Sequence, residues 1–225
     1  MDRLVQAYSI DRYNQLPGLG DAHSAFQERG GQKLLLDTFH KLFLRHGVTD
    51  LVGPALAHRH FRLSEDELLV DVNGTSTIWK LPSEALPLVG NSYRKHGGLI
   101  RPSSWMVQGE SLVPYEFFFG KARDGENGDV LRRLSPTFLG EFVRMVKDHN
   151  LGGVLGLNVV QGIENCRLEF TEGRSNITTP VSEDELRQLG SDCLMVGYKY
   201  GRRAGEMRVM LACHNVPIPG PSHVS

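Results

Sequence analysis

Two hydrophobic periodicities follow one another along this chain, and their order limits the folds open to it. Apolar residues recur at intervals of three and four from Phe26 to Phe43, as in a helix, and Gly47 suits its C-terminal cap. Later stretches alternate apolar and polar residues, as strands do: 153–160, 164–170, 192–198 and 207–213. The two kinds of segment do not alternate strictly. We therefore predict an α+β fold with a mostly antiparallel, barrel-like sheet and flanking helices.

Turn and capping signals predict the remaining elements. Asn73-Gly74 lies between the apolar segments 68–72 and 78–79, which indicates a hairpin. Ser135, followed by a proline, is a typical N-cap for a helix reaching residue 149, and Ser182 with Glu185 forms a capping-box pattern for a short helix. Residues 82–110 are rich in Pro, Gly and Ser, and we predict an irregular segment there.

Length and composition are those of an ordinary globular chain. With 225 residues, 40% apolar and 23% charged, residues 1–215 are expected to form a single domain, and 216–225, which carries three prolines, a loose tail. The formal net charge of −1 gives no electrostatic reason to expect a nucleic acid or an anionic membrane as partner. The oligomeric state is left open by these data.

The cysteines and the first residues indicate a compartment. Cys166, Cys193 and Cys213 are few, odd in number and without a CxxC spacing, which favours reduced thiols over a disulfide framework. Residues 1–20 contain no apolar run of the kind found in a secretory signal. We expect a cytoplasmic protein with no membrane span.

The pair His58 and His60 is the strongest chemical signal in the sequence. Residues 49–61 are predicted to be a strand, and alternation would place both imidazoles on one face of it, where a single metal ion could bind both. Two ligands do not make a site, however. A pair of surface or hydrogen-bonded histidines is the structural alternative.

Glu116 is a candidate third ligand. It lies in the apolar strand predicted at 112–119, where an inward carboxylate must be paired, protonated or bound to a metal. An arginine or backbone amides would serve equally well as its partner.

Cys166 is a candidate fourth ligand. Alternation groups it with Leu168 and Phe170 on an apolar, core-facing side, where a thiolate would bind zinc and a neutral thiol would merely pack. In the pair Cys213-His214 the two side chains point to opposite faces of a strand, so only one of them could join a given site.

Three short strings carry a resemblance to a known group of proteins: 58–61 (HRHF), 114–117 (PYEF) and 169–174 (EFTEGR). They resemble a group of small fungal proteins that includes the zinc-dependent cyclopenase of quinolone alkaloid biosynthesis, once labelled hemocyanin-like. The resemblance implies a lyase of secondary metabolism. Its reaction would be the ring contraction of a cyclopenin-type benzodiazepinedione epoxide to a viridicatin-type quinolone, with loss of methyl isocyanate.

The resemblance implies a Zn²⁺ ion that polarises a substrate oxygen. Its ligands are predicted from the strand faces described above: His58, His60, Glu116 and Cys166. Nearby aromatic residues would enclose a flat, aromatic small-molecule substrate: Trp79, Trp105, Tyr115 and Phe117. No residue is assigned as general acid or base.

Two other functions are compatible with the same residues. One is a non-catalytic binding domain in which the histidines and Glu116 form a hydrogen-bonded polar core. The other is an iron or copper oxygenase that uses the same ligands. The metal content of the purified protein would distinguish the three.

Overall fold

The main chain closes into a ten-stranded mixed barrel, as a computed structural model shows for residues 4–91, 93–121, 130–203 and 205–214. The barrel order is β5-β6-β2-β3-β9-β8-β11-β10-β1-β7, and β7 pairs back onto β5 to complete it. The pairs β2–β6 and β8–β11 are parallel, and the other barrel pairs are antiparallel. The predicted α+β class with a barrel-like sheet is confirmed.

The elements have the following bounds. The strands are β1 Val52–Leu56, β2 Glu67–Val72, β3 Thr75–Lys80, β4 Tyr93–Lys95, β5 Gly98–Gln108, β6 Ser111–Lys121, β7 Leu155–Val159, β8 Arg167–Glu172, β9 Ser175–Pro180, β10 Cys193–Tyr200 and β11 Met207–His214. The helices are α1 Ile10–Asn14, α2 Leu19–Glu28, α3 Gly31–Leu34, α4 His40–His46, α5 Val130–Arg133, α6 Pro136–Asp148 and α7 Glu183–Leu189. A π-helical turn, Leu35–Phe39, joins α3 to α4, and a 3₁₀ helix, Leu86–Asn91, precedes β4.

The predictions from turns and caps are confirmed. Asn73 and Gly74 both have positive φ, which is the type I′ geometry that suits a two-residue hairpin between β2 and β3. The Ser135 hydroxyl accepts a hydrogen bond from the N–H of Phe138, and the Ser182–Glu185 capping box is complete. The predicted tail 216–225 lies outside the described residues.

The prediction of an irregular segment at 82–110 is wrong. The segment contains β5, which pairs with β6 and, through Ser104, Trp105 and Met106, with β7. Glycine at position 156 of β7 allows this closure, because a Cβ there would lie 1.9 Å from the carbonyl oxygen of Trp105. Strand β9 was not predicted from the sequence either.

Helices cover the outside of the barrel with two apolar cores. In one core, Phe43 of α4 packs edge-to-face on Phe138 and Phe142 of α6, and the three rings belong to the apolar cluster on the outer faces of β1, β7 and β10. In the other core, Tyr8 and Tyr13 pack near Phe117 of β6. Strand β6 therefore has its apolar face outside, and the alternating face, which includes Glu116, points into the barrel. None of the described helices is long and apolar enough to cross a bilayer.

Candidate metal centre

Side chains from strands on opposite sides of the barrel meet in its interior. His60 Nε2 lies 3.6 Å from Glu116 Oε1 and 3.5 Å from Glu169 Oε2. Glu116 belongs to β6 and Glu169 to β8, and β2, β3 and β9 separate these two strands in the sheet. Only a closed sheet brings them to the same imidazole. The structure thus brings His60 and Glu116 together, and Glu169 is an additional member that the sequence did not indicate.

The two histidines reach this centre from beyond the end of a strand. Strand β1 spans Val52–Leu56, so the strand predicted at residues 49–61 is too long at both ends. The rings nevertheless meet, with centroids 4.8 Å apart. The Nδ1–H of His58 donates to the carbonyl oxygen of Leu56 at 3.0 Å. A carbonyl only accepts, so Nε2 of a neutral His58 carries the free lone pair and faces the centre.

His58, Glu169 and Cys213 form a group that can hold one metal ion. One donor atom of each lies within 4.8 Å of the other two. The Sγ of Cys213 is 3.6 Å from His58 Nε2 and 3.1 Å from Glu169 Oε2. Two ligands of a tetrahedral ion with bonds of about 2.0–2.3 Å are separated by about 3.3–3.8 Å, which is close to these distances. The parallel register of β8 and β11 pairs Glu169 with Cys213 and so fixes their contact.

A buried amide and a hydroxyl hold the centre in place. Asn176 is fully buried, and its Nδ2 donates to Glu169 Oε1 at 3.1 Å while its Oδ1 accepts from the Thr171 hydroxyl at 2.6 Å. The one proton of Thr171 is used there. Its oxygen, 3.3 Å from His60 Nδ1, therefore accepts a hydrogen bond from that nitrogen.

The hydrogen bonds from Thr171 to Asn176 and from His60 to Thr171 place the Nδ1 proton of His60, and this decides whether Nε2 needs a positive charge. With Nδ1 as donor, a neutral His60 would direct the lone pair of Nε2 at two carboxyl groups. That nitrogen is buried and has no hydrogen-bond partner among the described residues. A proton or a metal ion at Nε2 would remove the conflict, because either places positive charge between the two acids.

The ionisable groups of the centre differ in their pKa shifts. Burial lowers the pKa of His58 to about 4, and the neighbouring His60 adds to the effect. Burial also acts to lower the pKa of His60, but the carboxylates of Glu169 and Glu116 outweigh it and raise that pKa. His58 is therefore neutral near pH 7, which is the form that binds metals.

The two acids of the centre respond to burial differently. Burial raises the pKa of Glu169, and the attraction of His60 offsets this only in part. For Glu116 burial acts in the same direction and is the largest single effect, but the attraction of His60, the hydrogen bond from Ser104 and the attraction of His58 together outweigh it and lower the pKa. Ser104 also donates to Glu116 Oε2 at 2.7 Å. In the metal-free protein Glu116 is therefore the stronger acid of the two. The thiol of Cys213 is also affected: burial and the nearby carboxylate of Glu169 raise its pKa.

Cys166 does not lie in this group. The alternation in β8 runs opposite to the prediction: Glu169 is the residue that faces the barrel interior, while Cys166 and Leu168 pack outside with Leu186 and Cys193. The apolar face of this strand is outward because α7 covers it there. Cys213 provides the thiol instead. All three cysteines are free thiols in the structure.

A cavity of about 570 Å³ inside the barrel adjoins the centre. Glu116 and Glu169 both line it, and its apolar wall includes Phe118, Met210 and Leu211. This volume is that of a typical small-molecule site. Of the aromatic residues predicted to enclose a substrate, Trp105, Tyr115 and Phe117 lie in the packed cores, and Trp79 packs beside Phe119. Of these four, Phe117 also borders the cavity.

Comparison with family models, curated proteins and solved structures finds no match to this chain. The resemblance to the fungal cyclopenase group therefore stays a prediction from short sequence strings.

Proposed function

We propose that this protein is a zinc-dependent enzyme that transforms a small molecule inside the barrel, with His58, Glu169 and Cys213 as the zinc ligands. One observation carries the proposal. A buried imidazole, carboxylate and thiol lie within bonding range of a common point beside a cavity large enough for a substrate.

The donor set favours zinc over other metals. Nitrogen, oxygen and sulfur ligands together are typical of Zn²⁺ sites, whereas Mg²⁺ and Ca²⁺ select oxygen alone. An iron oxygenase of the facial-triad type would need two histidines and one carboxylate. Among the described residues, His58 is the one histidine within mutual range of both Glu169 and Cys213. A thiol in that range supports the zinc alternative.

The number of ligands favours catalysis over a structural role. A structural zinc ion takes four protein ligands, and a catalytic one takes three and keeps a position for water or substrate. Three protein donors are within range of each other here, and Glu169 faces the cavity. A bound zinc ion would supply Lewis-acid polarisation of a substrate oxygen.

The chain's own residues would orient and balance the charge of that centre. Asn176 and Thr171 hold Glu169 and His60 in fixed orientations, as the hydrogen-bond partners of metal ligands do in metal enzymes. Glu116, held by Ser104, lies on the cavity side beside His60 and is placed to exchange a proton with a bound molecule. Glu116 is therefore the proposed proton-transfer residue.

A non-catalytic binding domain is the second candidate. It is favoured by the hydrogen bond from the Cys213 thiol to Glu169 and by that from Asn176 to the same carboxylate, which satisfy much of the centre without a metal. In that case the cavity would bind a ligand and leave it unchanged.

Metal analysis decides between these candidates. The protein is purified without chelators, and zinc, iron and copper are measured per chain. We expect about one zinc ion per chain, in keeping with a single mononuclear group. Replacement by Co²⁺ should give a thiolate-to-cobalt charge-transfer band that is absent in Cys213→Ser. A wild-type chain that takes up no metal even with added zinc would contradict the proposal and leave the binding domain.

The resemblance supplies the first substrate to test. A cyclopenin-type epoxide is incubated with the apo protein, the zinc-loaded protein and the loaded Glu116→Gln variant, and the viridicatin-type product is followed. Conversion by the loaded wild type alone supports the ring-contraction chemistry. Equal rates in all three contradict that reaction, while the metal content still tests the zinc site separately.

A further inference from the structure

Arg167 is a charged residue of the cavity wall that has no role in the proposed metal centre. It lies on β8, two residues before Glu169 and on the same inward face. Alternate residues of a strand are about 6.6 Å apart, so the Arg167 side chain starts about that far from Glu169, the proposed zinc ligand. Arg167 is half-buried.

The carboxylates of the cavity wall each have a hydrogen-bond donor, whereas the guanidinium of Arg167 has no acceptor in the part of the chain that the structure describes. Asp71 accepts from the N–H of Gly74 at 3.2 Å, Glu116 from Ser104, and Glu169 from Asn176. The guanidinium of Arg167 makes no hydrogen bond or ion pair with a described residue, and Asp71 is a charged group close enough to interact with it electrostatically. A guanidinium group has five N–H donors, and a half-buried one without acceptors among the described residues is suited to donate hydrogen bonds to a ligand.

The surroundings of Arg167 define the shape of that ligand. Phe118, Met210 and Leu211 form apolar wall, and Arg101 is a second cation in the lining, placed over the ring of Phe118 at 6.0 Å. Burial raises the pKa of Asp71, and the charge of Arg167 acts in the opposite direction. The wall thus combines apolar surface with a cation whose planar fork matches a carboxylate or a similar oxyanion.

We propose that Arg167 is the anchor of an anion subsite, and that the natural ligand of the cavity is an aromatic or otherwise apolar organic acid whose acidic group binds Arg167. As a statement about the substrate this rests on the proposed function, and it favours acidic molecules over a neutral cyclopenin-type epoxide. As a statement about binding it does not depend on zinc.

Two fluorescent probes with the same ring system test the subsite. 8-Anilinonaphthalene-1-sulfonate carries one negative charge, and N-phenyl-1-naphthylamine is neutral. Both are titrated into zinc-free wild type, Arg167→Gln, Arg167→Lys and Arg208→Gln, and stoichiometry is checked by calorimetry. Arg208 is an exposed arginine of β11 next to Glu206 and serves as the matched control.

The subsite predicts one sulfonate probe per chain, bound at least about tenfold more tightly than the neutral probe, as one charge-assisted contact provides. Arg167→Gln should remove that preference and leave the affinity for the neutral probe unchanged. Arg167→Lys should keep part of it, and Arg208→Gln all of it. Equal affinity of wild type for both probes, or an unchanged preference in Arg167→Gln, would overturn the subsite.

Zinc content separates this inference from the proposed function. Arg167→Gln should bind zinc like the wild type. If the sulfonate preference depends on Arg167 while no variant binds zinc, the anion subsite stands and the enzyme proposal fails. If zinc binds but the preference is absent, the subsite alone fails.

Discussion

Two buried histidine sites on opposite sides of the barrel wall show how differently the fold treats the same side chain. Outside the barrel, His40 is 1% exposed and stacks on Tyr200. Its Nδ1 accepts from the N–H of Gly205 at 3.1 Å, and its Nε2–H donates to the carbonyl oxygen of Gly201 at 3.2 Å. Both ring nitrogens are satisfied by a neutral imidazole, so His40 is a structural residue.

Inside the barrel, His60 has one satisfied nitrogen and one that faces two carboxyl groups. A neutral imidazole does not fit that environment. The comparison shows that burial alone does not mark a functional histidine. A functional histidine is marked instead by carboxyl groups around a ring nitrogen that has no hydrogen-bond partner. Those carboxyl groups require a positive charge, which backbone groups do not provide.

The sharpest way to break this comparison is to remove one histidine from each side. In His58→Ala we expect zinc per chain to fall from about one to near zero, because a ligand is lost. In His40→Ala we expect full zinc content but a free energy of unfolding lower by about 1–3 kcal/mol, since two backbone groups lose their partner. Metal analysis and urea denaturation measure the two effects. Zinc loss in both variants would mean that His40 is not merely structural.

A second pair of variants compares the thiols on the two faces of the barrel wall. Cys213→Ser should weaken zinc binding by at least about tenfold, because a thiolate ligand is replaced by a hydroxyl that stays protonated. Cys166→Ser should leave zinc affinity unchanged, since its side chain packs outside with Leu186. Competition with a chromogenic chelator gives both affinities. The opposite pattern would restore Cys166 as the ligand that the sequence suggested.

The smallest expected effect concerns an acid that has a permanent partner. Both carboxylate oxygens of Glu67 accept from Arg174, at 3.2 and 2.6 Å. These bonds to Arg174 lower the pKa of Glu67 below its usual value of 4.5. The pair therefore stabilises the fold fully above about pH 4.5, and the contribution is lost as the pH falls through the lower folded-state pKa.

Because Arg174 is half exposed, we expect the contribution to be only about 1 kcal/mol. Unfolding of wild type and Arg174→Gln is compared at pH 7 and at pH 3. The difference in free energy should shrink at the lower pH. A constant difference would show that Arg174 stabilises through packing on Phe61 rather than through charge.

The candidate site was predictable in part. The sequence shows the spacing of His58 and His60, and it shows that Glu116 is a carboxylate in an apolar strand. The structure brings His60 and Glu116 together. Glu169 was missed because its strand has apolar residues at the alternate positions. In an ordinary sheet those would face the core, but in this barrel they face α7. The adjacent pair Cys213-His214 was the one signal for the thiol.

The sequence by itself determined the local elements that depend on near neighbours: the Asn73-Gly74 hairpin, the Ser135 and Ser182 caps, and the helical period from Phe26 to Phe43. These follow from backbone preferences and hydrogen bonds within a few residues. Only the tertiary structure decided which face of each strand is inside. Closure of β7 onto β5 creates an interior that holds polar groups and moves the apolar cores outside, so the sidedness of Cys166 and Glu169 depends on contacts between residues far apart in the chain.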